Sequence, residues 1–360
     1  MIQVMKHLLL TAILALVTAS YAGSPALTPD GFAIPQPGRT FVFPRDHGSH
    51  PELRTEWWYV TGHLDAANGR RFGFQATFFR QSSPDKRQLF LAHTALLDVS
   101  SGRFLSEERL NREGWDAGAS TNTLDVHNGN WSLRQEDTIK LAATVRAEAL
   151  ITLAMKPRKP LVVFGEDGVS RKGSSPAAAS HYLTWPRLDC QGTVRLGDQD
   201  VAVTGQAWMD HEFSSSQLDD GQVGWDWASL QLNDGREIMG YRMRRRDGSS
   251  DPAGTTLSWV QADGKVEQLD HSQFSWQPTR TWTSPKTKAA YPIGAKIITQ
   301  GQVFELRPMN NAQELDGAIS GLPYWEGACD VLDAQGRVIG RAFLELAGYA
   351  GDLARHLGRH

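Results

Sequence analysis

The chain has 360 residues, with 37 Lys and Arg against 40 Asp and Glu, giving a net charge of −3 at neutral pH with His uncharged. A balance this close to zero carries no sign of a nucleic-acid partner or of a strongly anionic membrane surface. With 40% hydrophobic and 21% charged residues, the composition is that of a globular chain, long enough for two domains or one large one.

Met1 to Ala22 read as an export signal. Lys6 and His7 form a weakly positive head, Leu8 to Val17 is apolar, and Ser20-Tyr21-Ala22 puts small residues where a signal peptidase reads. The apolar run is too short for a bilayer span, which needs about 20 apolar residues. No cysteine follows for lipid attachment and no twin arginine precedes it. The expectation is the general secretion route and a periplasmic or secreted mature chain with no transmembrane span. Export by this route also favours chemistry without a cofactor, because ATP and NAD(P)H are scarce outside the inner membrane.

The remaining sequence has a period of two almost throughout. Glu56 to Leu64 (EWWYVTGHL), a turn at Asn68-Gly69, and Phe72 to Phe79 predict a hairpin. Leu89 to Asp98 is apolar on both faces, as expected of a strand covered on both sides. Short strands follow at Trp131–Leu133, Ile139–Val145 and Leu150–Met155, then hairpins around Gly197-Asp198, Asp234-Gly235 and Gln335-Gly336. A terminal helical turn is predicted over Gly351–Leu357. The looser stretch Ser214–Gly221 marks a boundary. The predicted organisation is a signal at 1–22, a first domain over 35–216 and a second over 217–357. Twelve Trp and 34 Gly suit sheets that face a large cavity, with Gly at turns and bulges. The two cysteines, Cys190 and Cys329, are read as buried thiols, with a disulfide as the alternative.

Four clusters carry candidate chemistry. Asp46, His47, His50 and Glu56 gather around the start of the first aromatic strand. Glu56 is expected to point inward and to pair with Arg or His; a metal on His47, His50 and Glu56 is the minor alternative. In Trp208-Met209-Asp210-His211-Glu212-Phe213, strand alternation puts Trp208, Asp210 and Glu212 on one face and His211 on the other. Asp210 and His211 are candidates for acid–base work. Trp225 and Trp227 share a face as an aromatic wall, Asp226 faces away, and Tyr241 lies on the next strand. Trp58 and His93 complete the candidate ligand-binding set, with Glu326 kept as a weaker candidate. There is no G-x-S-x-G elbow, H-E-x-x-H, Walker loop or dinucleotide fingerprint.

The run from Phe43 to Leu64, with Asp210-His211-Glu212-Phe213, Gly224 to Ser229, Tyr291-Pro292, Tyr324-Trp-Glu-Gly327 and Glu345-Leu-Ala-Gly-Tyr349, resembles the hydroxyneurosporene synthase (carotenoid 1,2-hydratase) and AttH-like family. The resemblance covers nearly the whole chain after the export signal. It implies two tandem lipocalin-like β-barrels, an all-β fold. It also implies a hydrophobic isoprenoid- or lipid-like ligand, and either cofactor-free hydration or hydrolysis, or a carrier or ABC-transporter accessory role. His211, Trp225, Asp226 and Tyr241 are the positions it marks for acid–base or cation-stabilising roles.

Overall fold

The computed structural model describes residues 26–351 and Leu353; the expected export signal and most of the predicted terminal helical turn lie outside the described residues. The described residues form antiparallel strands, with one short 3-10 turn at Arg45–His47; Leu353, inside the predicted terminal turn, is α-helical. This is the expected all-β fold.

Two sheets account for it. The first begins with the meander Thr55–Ala66, Arg71–Ser82, Gln88–Asp98 and Arg103–Arg112. Thr55–Ala66 pairs with Gln199–Ser216, which pairs in turn with Ala179–Leu196. The order continues through Ala149–Pro157 and Ile139–Val145 to Ala117–Ala119. This sheet curls until its ends meet, and side chains bridge the seam. Asn111 Nδ2 donates to Asn128 Oδ1 at 2.6 Å, and Thr94 Oγ1 donates to the Thr144 carbonyl at 2.9 Å.

The second sheet is built around Gln222–Leu232, Glu237–Arg245, Tyr324–Leu332 and Val338–Ala347, with Phe274–Thr283 and Val266–Asp270 at its ends. The chain passes from one sheet to the other between Ser216 and Gln222.

Alternation decides what each face does. In the first sheet Trp58, Val60, Phe74, Phe78 and Met209 fill the concave interior. In the second, Leu230, Ile297, Trp325 and Leu344 do the same. The opposite faces of the central strands pack against each other, so Tyr59, Trp208, Trp227, Tyr241, Ala328 and Phe343 form a third apolar cluster drawn from both sheets. The Leu89–Asp98 strand reads as apolar on both faces for this reason.

Polar links fix the two sheets together. Arg341 forms a two-point pair with Asp65 at 2.6 and 2.8 Å. His63 Nε2 hydrogen-bonds the Ala342 carbonyl at 3.0 Å. Glu237, wholly buried, is held by Lys159 at 2.5 Å and Arg187 at 2.6 Å. Cys190 and Cys329 are separate buried thiols, one in each barrel core.

Candidate functional site

Between the two sheets lies a cavity of about 400 Å³. The first sheet supplies Trp57, Tyr59, Phe79, His93, Tyr182, Asp210 and Glu212 to its wall. The second supplies Trp225, Trp227, Tyr241, Tyr324, Glu326 and Glu345. Lys172 comes from the loose segment before the long Ala179–Leu196 strand.

Four carboxyl groups enter this mostly apolar space. Asp210 is 2% exposed. Its Oδ2 accepts from the Tyr182 hydroxyl at 2.8 Å, and its Oδ1 accepts from Thr184 at 2.6 Å and the Trp208 indole at 2.7 Å. Burial outweighs those three hydrogen bonds and pushes its pKa up to about 7. Glu212 forms an ion pair with Lys172 at 2.7 Å, and the Lys172 ammonium lies 4.2 Å from the Tyr241 ring centre. Burial pushes Glu345 up to about 8, although the Trp225 indole donates to it at 3.0 Å. Glu326 is driven well above the usual carboxylate range by burial and by Glu345, although Tyr59 donates to it at 2.6 Å. At neutral pH the wall therefore presents Glu326 and Glu345 with their protons and Asp210 about half protonated. His93 sits at the rim of this group; its Nδ1 hydrogen-bonds the Tyr324 hydroxyl at 2.9 Å, and burial lowers its pKa to about 4, so the ring is neutral.

The predicted site residues divide into three places. Asp210, Trp225, Trp227, Tyr241 and His93 line the cavity. Trp208 stands behind Asp210 as its donor. Glu56, His211 and Trp58 face the interior of the first barrel, away from the cavity. There Glu56 Oε2 accepts from Arg80 Nε at 2.8 Å, and Glu56 Oε1 accepts from His50 Nδ1 and His211 Nε2, each at 2.8 Å. His50 Nε2 reaches Asp46 at 3.0 Å. Trp58 donates to the His47 carbonyl and stacks on His211. Asp226 lies inside the second barrel, paired with Arg244 at 2.9 Å and Arg242 at 3.0 Å, and accepts from Tyr349 at 2.8 Å. In space His211 and Asp226 are thus on separate barrels, not in one catalytic group.

The alternative metal set is not assembled as the sequence suggests. His47 is stacked between Phe43 and Trp185. The residues that do converge are His50, Glu56 and His211, and Arg80 already occupies one Glu56 oxygen.

Sequence reading passed over Tyr59, Lys172, Tyr182, Tyr324 and Glu345 as site residues. Alternation along Tyr324-Trp-Glu-Gly and Phe343-Leu-Glu-Leu would have placed Glu326 and Glu345 on one face. Nothing in the Gly168–Ala179 segment marks Lys172.

Comparison with known proteins follows this geometry. The AttH-like family profile matches residues 34–349. A crystal structure of a Nitrosomonas europaea protein described as an AttH superposes with a TM-score of 0.82 and 36% identity, covering 88% of this chain and 100% of that one. Kievitone hydratase of Nectria haematococca shares the fold with a TM-score of 0.67 and 16% identity, over 86% of this chain and 93% of that one. The ceramide-binding protein svf1 of Schizosaccharomyces pombe is 22% identical over 171 residues, which is 46% of this chain and 45% of that protein; the match thus spans less than half of that relative. The extent of the profile match, together with the full coverage of the Nitrosomonas structure, shows that the chain belongs to the AttH-like family.

Proposed function

We propose that the cavity between the sheets binds an apolar, isoprenoid- or lipid-like molecule and adds water across one of its double bonds without a cofactor. The observation that carries this is Asp210, a buried carboxyl with a pKa of about 7 facing an aromatic wall. A general acid is most effective when its pKa lies near the working pH.

The step balances within the site. Asp210 gives its proton to one alkene carbon, and the π electrons form the new C–H bond. The faces of Tyr59, Trp225 and Trp227 stabilise the carbocation left on the other carbon. Water adds to that carbon, and its spare proton passes to Glu212, which is paired with Lys172. The proton returns from Glu212 to Asp210 through solvent.

Kinship in fold with a protein named as a hydratase supports this reading. The export signal supports action outside the inner membrane. The test is incorporation of ¹⁸O from labelled water into terminal isoprenoid alkenes by protein recovered from the periplasm with residues 1–22 removed. Asp210→Asn is expected to lower turnover by about 10²-fold or more, the usual share of general acid catalysis. Wild-type protein that yields no labelled alcohol, or a variant of undiminished rate, would refute it. The second reading is a carrier. The mostly apolar cavity and the ceramide-binding relative favour it, and tight ligand binding by a wild type without turnover would select it.

A further inference from the structure

Glu326 and Glu345 are direct cross-strand partners on Tyr324–Leu332 and Val338–Ala347, and both enter the cavity. With no counter-charge beside them, burial keeps both groups in the protonated form at neutral pH. Each carboxyl is held by one neutral donor on a single oxygen: the Tyr59 hydroxyl on Glu326 Oε1 at 2.6 Å and the Trp225 indole on Glu345 Oε1 at 3.0 Å. Glu326 is 1% exposed, and its Oε2 has no hydrogen-bond partner. Among the described residues neither carboxyl has a Lys, Arg or His partner, and the cavity's lysine, Lys172, is taken up by Glu212.

Asp210 also has only neutral donors, but both of its oxygens are bonded; three other buried carboxyl groups have a counter-charge. Glu56, Asp226 and Glu237 each have a guanidinium or ammonium nitrogen within 3.0 Å. The Glu326–Glu345 pair lacks that counter-charge and opens onto a space large enough for a ligand.

We propose that the Glu326–Glu345 pair anchors the ammonium group of an amphiphilic amine whose apolar chain fills the cavity. An ammonium brings three donors and a positive charge; it fills the bare Glu326 oxygen and displaces a proton from the pair to solvent, so that the ammonium meets a carboxylate. Tyr59, Trp225 and Trp227 line the same cavity. A fatty acid would instead bring a fifth carboxyl group to a wall that already holds four. An alcohol would supply one donor and no charge. This inference rests on reading the cavity as a ligand site and is independent of the Asp210 proton transfer.

The test is calorimetric titration of the full chain at neutral pH with dodecylamine, dodecanol and dodecanoate, each below its micelle concentration. Dodecylamine is expected to bind about tenfold or more tightly than dodecanol, as a charge-assisted hydrogen bond would give, and dodecanoate more weakly than either. In the Glu326→Gln/Glu345→Gln variant, which keeps the shape of both side chains, the amine advantage should disappear while dodecanol affinity holds. Dodecanol binding as well as dodecylamine to the wild type overturns the ammonium assignment and leaves the cavity reading standing. Failure of all three probes to bind overturns both. An amine preference that survives in a double variant with a native melting transition also overturns the assignment.

Discussion

Glu56 shows how much one side chain organises. Both of its oxygens are saturated by Arg80, His50 and His211. Arg80 spends its remaining N–H groups on Ser82, Gln88 and the carbonyls of His50 and Leu53. The network ties the Arg45–His50 turn to three strands. Arg80 and His50 hold the Glu56 pKa well below the carboxylate range despite complete burial. A carboxyl depressed in the folded state contributes stability above its unfolded pKa of about 4.3 and loses it as pH falls through the folded value. His50 is raised by Glu56 and Asp46, so its contribution is full below about 6.5 and fades as pH rises through its folded value. Glu56→Gln leaves Arg80 buried with half a partner and is expected to cost about 3 kcal/mol at neutral pH. Urea titrations of wild type and variant should show the gap narrowing below about pH 4, where Glu56 of the unfolded wild-type chain takes up a proton that the folded chain does not; a gap that stays constant with pH would count against the ion-pair account. That Glu56 turns inward toward Arg or His was legible from a carboxylate opening an aromatic strand. That His50 and His211 share it was not, because they lie 6 and 155 residues away in the chain.

At the level of the element, the long hairpin Ala179–Leu196 and Gln199–Ser216 does the joining. Its register shifts between Trp185 and Leu188, and a bulge of this kind re-aims side chains. There Arg187 leaves the first sheet and reaches Glu237 on the second at 2.6 Å, while the Pro186 carbonyl accepts from Gln231 at 2.8 Å. Arg187→Ala leaves Glu237 with Lys159 alone and should cost about 3 kcal/mol in denaturant unfolding; a loss under about 1 kcal/mol would mean the pair is as weak as a surface one. The hairpins themselves were legible, since Asn-Gly and Asp-Gly turns between alternating runs name their own register. The bulge was not. Pro186 interrupts a strand pattern without saying which neighbour receives the residue after it.

For the whole molecule, the decisive fact is that two curled sheets stand face to face and keep the cavity between them. The sequence marked which residues alternate together. It did not mark which face looks into a barrel and which toward the partner sheet, because both are covered and both are apolar. That is why His211 and Asp226 read as neighbours of Asp210 and Trp225 yet lie on the far sides of their strands. The closeness of the sheets is set at Gly73, where an added Cβ would lie 2.6 Å from the Ala328 Cβ of the opposite sheet. Gly73→Val is expected to push the sheets apart, keeping the far-ultraviolet circular dichroism of each while weakening dodecanol binding about tenfold. Native affinity in that variant would mean that the cavity tolerates a wider gap.

The sorting of tryptophans between the two kinds of space has an optical consequence. Trp58, Trp131, Trp259 and Trp325 are sealed in barrel interiors, where no ligand reaches them, so their emission forms a constant background. Trp57, Trp225 and Trp227 stand on the cavity wall, beside carboxyls whose protonation alters the excited indole. The molecule thus carries its own photometer, with reference and sample channels built into the same chain.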